Sequence, residues 1–101
     1  MNNTTSNAAA TIPVVSIAED LKGKKLYEIA QTVVRDHRET GQKVNYALKP
    51  WLDALGSISE LTDNYGAESG RTVVAYFLSN ASQYKGATAK AVKAELKRRN
   101  K

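Results

Sequence analysis

Ser69-Gly70-Arg71-Thr72-Val73-Val74-Ala75-Tyr76-Phe77-Leu78-Ser79-Asn80-Ala81-Ser82-Gln83-Tyr84 is the stretch on which the fold turns. Its Thr, Val, Val, Tyr and Phe suit a buried strand. For so short an apolar run, periodicity alone does not separate strand from helix. Two observations favour helix. Val73, Val74, Phe77, Ala81 and Tyr84 keep a 3-4 spacing, and no second strand-like run exists to pair with, so a lone strand would leave its backbone ladder unsatisfied. The segment reads as the central core helix of an all-α protein.

Upstream, Ser57-Ile58-Ser59-Glu60 places a glutamate three residues after a serine. That is a capping-box pattern, which predicts a short helix over 58–64 closed by Gly66. Before it, Lys49-Pro50-Trp51 starts a helix that runs through Leu52 and Leu55 to Gly56. Proline fits a first helical turn because its missing donor is not needed there. A turn at 46–49 entered from Asn45, kinked at Pro50, is the alternative. Earlier still, Leu26, Ile29, Ala30, Val33, Val34 and His37 recur at amphipathic-helix spacing. This predicts a helix over about 24–40, with Gly41 as its left-handed terminator. Residues 1–16 are small, polar and uncharged up to Ile12 and carry no periodic apolar face. They are expected to form a flexible tail, with Ile12, Val14, Val15 and Ile17 able to dock as an extended strip. Downstream, Ala87 to about Arg99 is rich in the helix formers Ala, Lys and Glu. The expected architecture is one domain over 17–101, a bundle of three to five helices ending in a basic helix.

The chain has 101 residues, 42% of them apolar and 25% charged, the balance of a soluble globular domain. No apolar run approaches the roughly 20 residues that span a bilayer. No Lys or Arg precedes Lys22, which argues against a secretory signal. There is no cysteine, so disulfides, thiolate catalysis and cysteine-based zinc sites are excluded, and a cytoplasmic location is expected. The single histidine, His37, falls on the inner stripe near a helix end, where a hydrogen-bonded core-edge role outweighs a catalytic one. The carboxylates at Glu19-Asp20, Asp36, Glu39 and Asp63 fall at helix ends or on exposed faces, as caps and solvated pairs do. No Walker loop is present, and Gly66-Ala67-Glu68-Ser69-Gly70 lacks a dinucleotide-binding spacing. The protein is expected not to be an enzyme and to use no cofactor or metal.

The charge pattern is more informative. Residues 1–50 carry seven basic and five acidic side chains, residues 51–84 one against four, and residues 85–101 seven against one. The last seventeen residues therefore hold a net +6 of a formal +5 for the chain. At 100° per residue, Lys90, Lys93, Lys97 and Lys101 fall within about 80° of one another. Beside them runs the narrow apolar stripe of Ala89, Val92 and Leu96. A basic row can bind phosphates by releasing condensed counterions; a solvated terminal helix is the plainer alternative. The candidate nucleic-acid contacts are Lys90, Lys93, Lys97, Arg98, Arg99 and Lys101. Binding is expected to be independent of base sequence, since Arg98, Arg99 and Asn100 sit at a frayed end rather than on a groove-reading helix. A helix-turn-helix made of 57–66 and 69–82 is disfavoured, because its second helix offers only Arg71 as a basic reader.

Trp51 and Phe77 are expected as core anchors. Tyr65, in the Asp63-Asn64-Tyr65-Gly66 turn, either covers the core or stands exposed beside Glu60, Asp63 and Glu68 as an anchor for a protein partner. Gly66 is expected to take a positive φ, Gly70 to permit a close approach, and Arg71 to reach back to Asp63 or Glu68. The narrow stripe of the last helix also leaves a homodimer open.

Four clusters, Pro50-Trp51-Leu52-Asp53-Ala54-Leu55, Tyr65-Gly66-x-x-Ser69-Gly70-Arg71, Tyr76-Phe77-Leu78-x-Asn80-Ala81 and Lys93-Ala94-Glu95-Leu96, together resemble small proteins of mostly unassigned function encoded by bacteriophages and bacterial mobile elements. The resemblance covers about residues 25–98. It implies a helical fold and an accessory role, either binding nucleic acid or engaging a host protein, and carries over no ligand or site. The leading expectation is a non-catalytic accessory protein that binds nucleic acid through the basic last helix. The alternative is a module that binds a host protein through the 57–71 turn region, with Tyr65, Asp63, Glu60 and Glu68 as its contacts. No membrane partner is expected.

Overall fold

A computed structural model describes the backbone of residues 14–101 and the side chains from Ile17 onward. Among the described residues there are five helices: α1 (Val14–Lys22), α2 (Leu26–Thr40), α3 (Lys49–Leu55), α4 (Gly70–Ser79) and α5 (Ala87–Arg99). Between α3 and α4 lies a two-stranded antiparallel hairpin, β1 (Asn64–Tyr65) and β2 (Glu68–Ser69), with Asn64 opposite Ser69 and Tyr65 opposite Glu68. The α4 segment is helical, as the spacing of Val73, Val74 and Phe77 predicts, but it ends at Ser79, so Ala81 and Tyr84, read as part of the same helical face, lie in the link to α5. Within α4, Val73, Val74 and Phe77 are fully buried. Around it close Leu21, Leu26, Ile29 and Val33 from the first two helices, Leu48, Leu52 and Leu55 from α3 and its entry, and Ala89, Val92 and Leu96 from α5. The helices pack as α1 on α5, α4 on α3, and α2 on both α3 and α5.

Local chemistry accounts for the ends of these helices. The Glu28 carboxylate accepts from the Lys25 backbone N–H at 2.8 Å at the start of α2, and Gly41, at φ 75°, closes it in the left-handed conformation. Asn45 and Pro50 are both used at α3. The Asn45 carbonyl accepts from the N–H groups of Leu48 and Lys49, which forms a turn leading into a helix whose second residue is Pro50. The Ser69 hydroxyl caps α4 by accepting from the Thr72 N–H at 3.2 Å.

Several expectations are corrected. Residues 14–16, assigned to the tail, open α1; the rest of the expected tail, 1–13, lies outside the described residues. An extended strip over Val14–Ile17 is ruled out for the same reason. No helix forms over 58–64, because both halves of the expected capping box have other partners. The Ser57 hydroxyl donates to the Asp53 carbonyl, the Glu60 carboxylate binds Lys25 at 2.7 Å, and the Glu60 N–H donates to Asp63. The all-α expectation holds for the core, but the chain between α3 and α4 is a turn followed by the hairpin. Trp51 is not a buried anchor; it lies half-buried over the core and stacks on the exposed Tyr76 at 4.5 Å.

The two glycines singled out in the sequence behave as expected. Gly66 takes φ 61° at the hairpin turn. At Gly70 an added Cβ would lie 2.7 Å from the carbonyl oxygens of both Glu60 and Leu61, so the start of α4 packs against the turn rather than against another helix. Arg71 makes no contact with Asp63 or Glu68; its guanidinium donates to the Lys101 carbonyl at 3.4 Å. Among the described residues no helix is long and apolar enough to cross a membrane.

Candidate nucleic-acid interface

Which cations of α5 remain available is decided by what the helix buries. Ala89, Val92 and Leu96 are covered within the single chain, chiefly by α1 and α2, so this stripe supplies no free apolar face for a second copy. Glu95 is buried beside them at 5% exposure. Burial pushes its carboxyl up, but hydrogen bonds from Arg98 and Arg99 outweigh that and hold it below the ordinary carboxylate range. Arg98 donates to both carboxylate oxygens, at 3.1 and 2.5 Å. Arg99 donates from Nε to Oε2 at 2.6 Å, and its Nη2 reaches the Leu21 and Lys22 carbonyls at the end of α1, at 2.8 and 3.1 Å. Those carbonyls are orphan acceptors of a helix C-terminus, which a guanidinium satisfies well.

The lysines lie elsewhere. Lys90, Lys93 and Lys97 line one open depression of about 450 Å³ together with Lys85 and Tyr84. Gly86 makes this possible: at φ 112° it turns the chain so that Lys85 sits beside the first turn of α5. The helix begins there without a side-chain cap, so its positive dipole end adds to the lysine charge. Lys93 is half-buried at the centre. Its Nζ donates to the Tyr84 carbonyl at 2.6 Å and lies 5.8 Å from the centre of the Tyr84 ring. Burial, then the charges of Lys85 and Lys97, hold its amine below the ordinary lysine value.

Tyr84 is in turn fixed from the other side. Its hydroxyl donates to Asp36 of α2 at 2.8 Å, and its ring stacks on His37 at 4.4 Å. Burial first, and Asp36 second, push the phenol well above its ordinary value, so it stays a donor. His37 itself is buried, with Nδ1–H donating to the Val33 carbonyl at 2.8 Å. It helps lock the wall of the depression.

Ion pairs among the described residues fall on Lys22, Lys24, Lys25, Lys49, Arg98 and Arg99. The four lysines of the depression have no carboxylate partner. A larger depression of about 530 Å³, between the α1–α2 link and the 60–62 turn, is lined by Lys22, Lys24 and Lys25, which pair with Glu19, Asp20 and Glu60, and by Arg71 and Arg99, with the Glu60 carboxylate among them. The lysine depression can hold anionic oxygens as point charges; it offers no planar donor pair for reading base edges.

Of the six cations expected to contact nucleic acid, the fold brings together Lys90, Lys93 and Lys97. Lys101 lies beyond the helix end, its carbonyl against Arg71 of α4. Arg98 is held on Glu95, and Arg99 is a strut between α5 and α1. Sequence reasoning missed Lys85 and Tyr84. The signal was Gly86, a turn-former directly between Lys85 and a helix. At the other candidate surface, Tyr65 is 43% exposed on the hairpin. The Asp63 carboxylate accepts from the N–H groups of Ser59 and Glu60 at 2.8 and 3.0 Å, which holds it below its ordinary value. Glu60 is paired with Lys25, and Glu68 is half-buried opposite Tyr65. Among the described residues no three His, Asp or Glu side chains gather as a metal site. No protein family, curated protein or solved structure matches this chain.

Proposed function

We propose that the protein is a non-catalytic accessory protein that binds nucleic acid through phosphate contacts of Lys85, Lys90, Lys93 and Lys97. One observation carries this reading: four ammonium groups converge on one open depression with no carboxylate among them. Like charges so placed repel one another, and a polyanion relieves that repulsion while releasing its own counterions. The one acidic residue of the last seventeen, Glu95, is directed to Arg98 and Arg99 instead. The second reading, a host-protein partner at 57–71, rests on the exposed ring of Tyr65, since Asp63 and Glu60 have internal partners.

The test is fluorescence anisotropy with labelled duplex DNA, single-stranded DNA and structured RNA. Three to four phosphate contacts give a loss of about 40- to 150-fold in affinity for duplex DNA, and about 20- to 50-fold for a single strand, between about 50 and 200 mM salt. The double substitution Lys90→Glu and Lys97→Glu abolishes binding, and the exposed positions leave the fold intact by circular dichroism. Unchanged binding in that variant, or none by the wild type at the lower salt, overturns the reading.

A further inference from the structure

The lysine depression does not end at α5. The Lys85 N–H donates to Gln42 Oε1, and Gln42 Nε2 donates to the Lys85 carbonyl, both at 2.9 Å. One step on, Asn45 Nδ2 donates to Gln83 Oε1 at 2.9 Å. The 42–45 segment is thus stitched along the 83–85 segment, so that Gln42 adjoins Lys85 of the depression; the segment carries the exposed Lys43 and the amides of Gln42 and Asn45. At its far end stands Tyr46, 89% exposed. Tyr27, Tyr65 and Tyr76, at 38%, 43% and 46%, keep about half of their surface on the protein, and Tyr84 is buried. Tyr46 alone presents nearly its whole ring to solvent. It does so from a rigid turn: Asn45 Oδ1 accepts from the Ala47 N–H at 2.8 Å, and the Asn45 carbonyl accepts from Leu48 and Lys49.

A cationic depression joined through one segment to an open aromatic ring is an arrangement that suits single strands, where cations hold the backbone and bases stack on rings. A duplex, whose bases already stack on each other, has no free base face to offer. Resting on the proposed function above, we propose that the protein prefers single-stranded nucleic acid, with Tyr46 stacking on a base while the strand runs over the 42–45 edge into the lysine depression.

The experiment uses fluorescein-labelled oligothymidylate of about fifteen nucleotides and a duplex of the same length, with the full chain. Tyr46→Ala weakens binding of the single strand by about 5- to 150-fold, as loss of one stacked base does, and leaves the duplex affinity and the salt slope unchanged. Tyr46→Trp keeps single-strand affinity, and its added indole emission is quenched on binding, beyond any change contributed by Trp51 in the wild type. An unaltered single-strand affinity in Tyr46→Ala, or an equal loss on both nucleic acids, overturns this proposal. If Lys90→Glu with Lys97→Glu still abolishes binding in that case, the lysine reading stands without it. A wild type that binds neither nucleic acid at low salt removes both.

Discussion

Replacing Arg99 by methionine separates a structural cation from a phosphate-binding one. Methionine keeps much of the apolar stem of arginine, so the change isolates the polar contacts. Arg99 is 17% exposed and donates to two carbonyls at the end of α1 and to Glu95. Hydrogen bonds from a charged group contribute roughly 1.5–3 kcal/mol each, and removing the donor leaves the acceptors poorly satisfied. Glu95 retains Arg98, and the α1 carbonyls gain some access to water, so simple addition would overstate the loss. A net cost of about 3 kcal/mol follows. At about 4–8 °C per kcal/mol for a domain near this size, the melting temperature drops by about 15 °C. Thermal denaturation by circular dichroism reads this directly, and anisotropy at a temperature where the variant is folded reads the binding. The expected result is a large stability loss with unchanged salt dependence of binding. A melting temperature within about 3 °C of wild type, together with a shallower salt slope, would refute the reasoning and make Arg99 a phosphate ligand.

Two further predictions concern stability. The folded Glu95 carboxyl titrates below its ordinary value of 4.5, so its contribution is complete above that value and is lost as pH falls through the folded one. Wild-type urea midpoints therefore decline on acidification below about 4.5, and Asp63, also held low by backbone donors, adds in the same direction. Glu95→Gln is less stable at neutral pH and shows a flatter acid decline; parallel declines in the two proteins would exclude Glu95 as the source. Gly70→Ala places a methyl 2.7 Å from two backbone carbonyl oxygens. It destabilises by about 1–3 kcal/mol despite the better helix propensity of alanine, and an unchanged urea midpoint would show that the 60–61 turn yields freely.

Periodicity over a few turns made α2, α3, α4 and α5 legible, because each carries its own apolar stripe, and Gly41 and Pro50 punctuate the first two of them. The α1 helix was not legible. It has nine residues, with valine and isoleucine in its first turns, and short helices gain their stability from packing rather than propensity. Leu21 and Arg99 supply that packing and that cap, and neither contact is visible from the local pattern. The capping-box pattern at Ser57–Glu60 misled for a related reason. Its groups had other partners within reach, at Asp53, Lys25 and Asp63, and the box lost the competition.

The sequence by itself determined the helical class, the concentration of positive charge in the last seventeen residues and the lysine row at 90, 93 and 97, since each follows from composition or from 100° steps along one helix. Only the tertiary structure decided which of those charges are free. Arg99 meets acceptors 77 and 78 positions earlier in the chain, and Lys85 joins the row because a glycine turn folds it back. A cation's availability depends on whether a carboxylate neutralises it and on how far packing leaves it open to solvent. That neighbourhood is assembled by packing between helices distant in sequence, which no pattern within one helix contains.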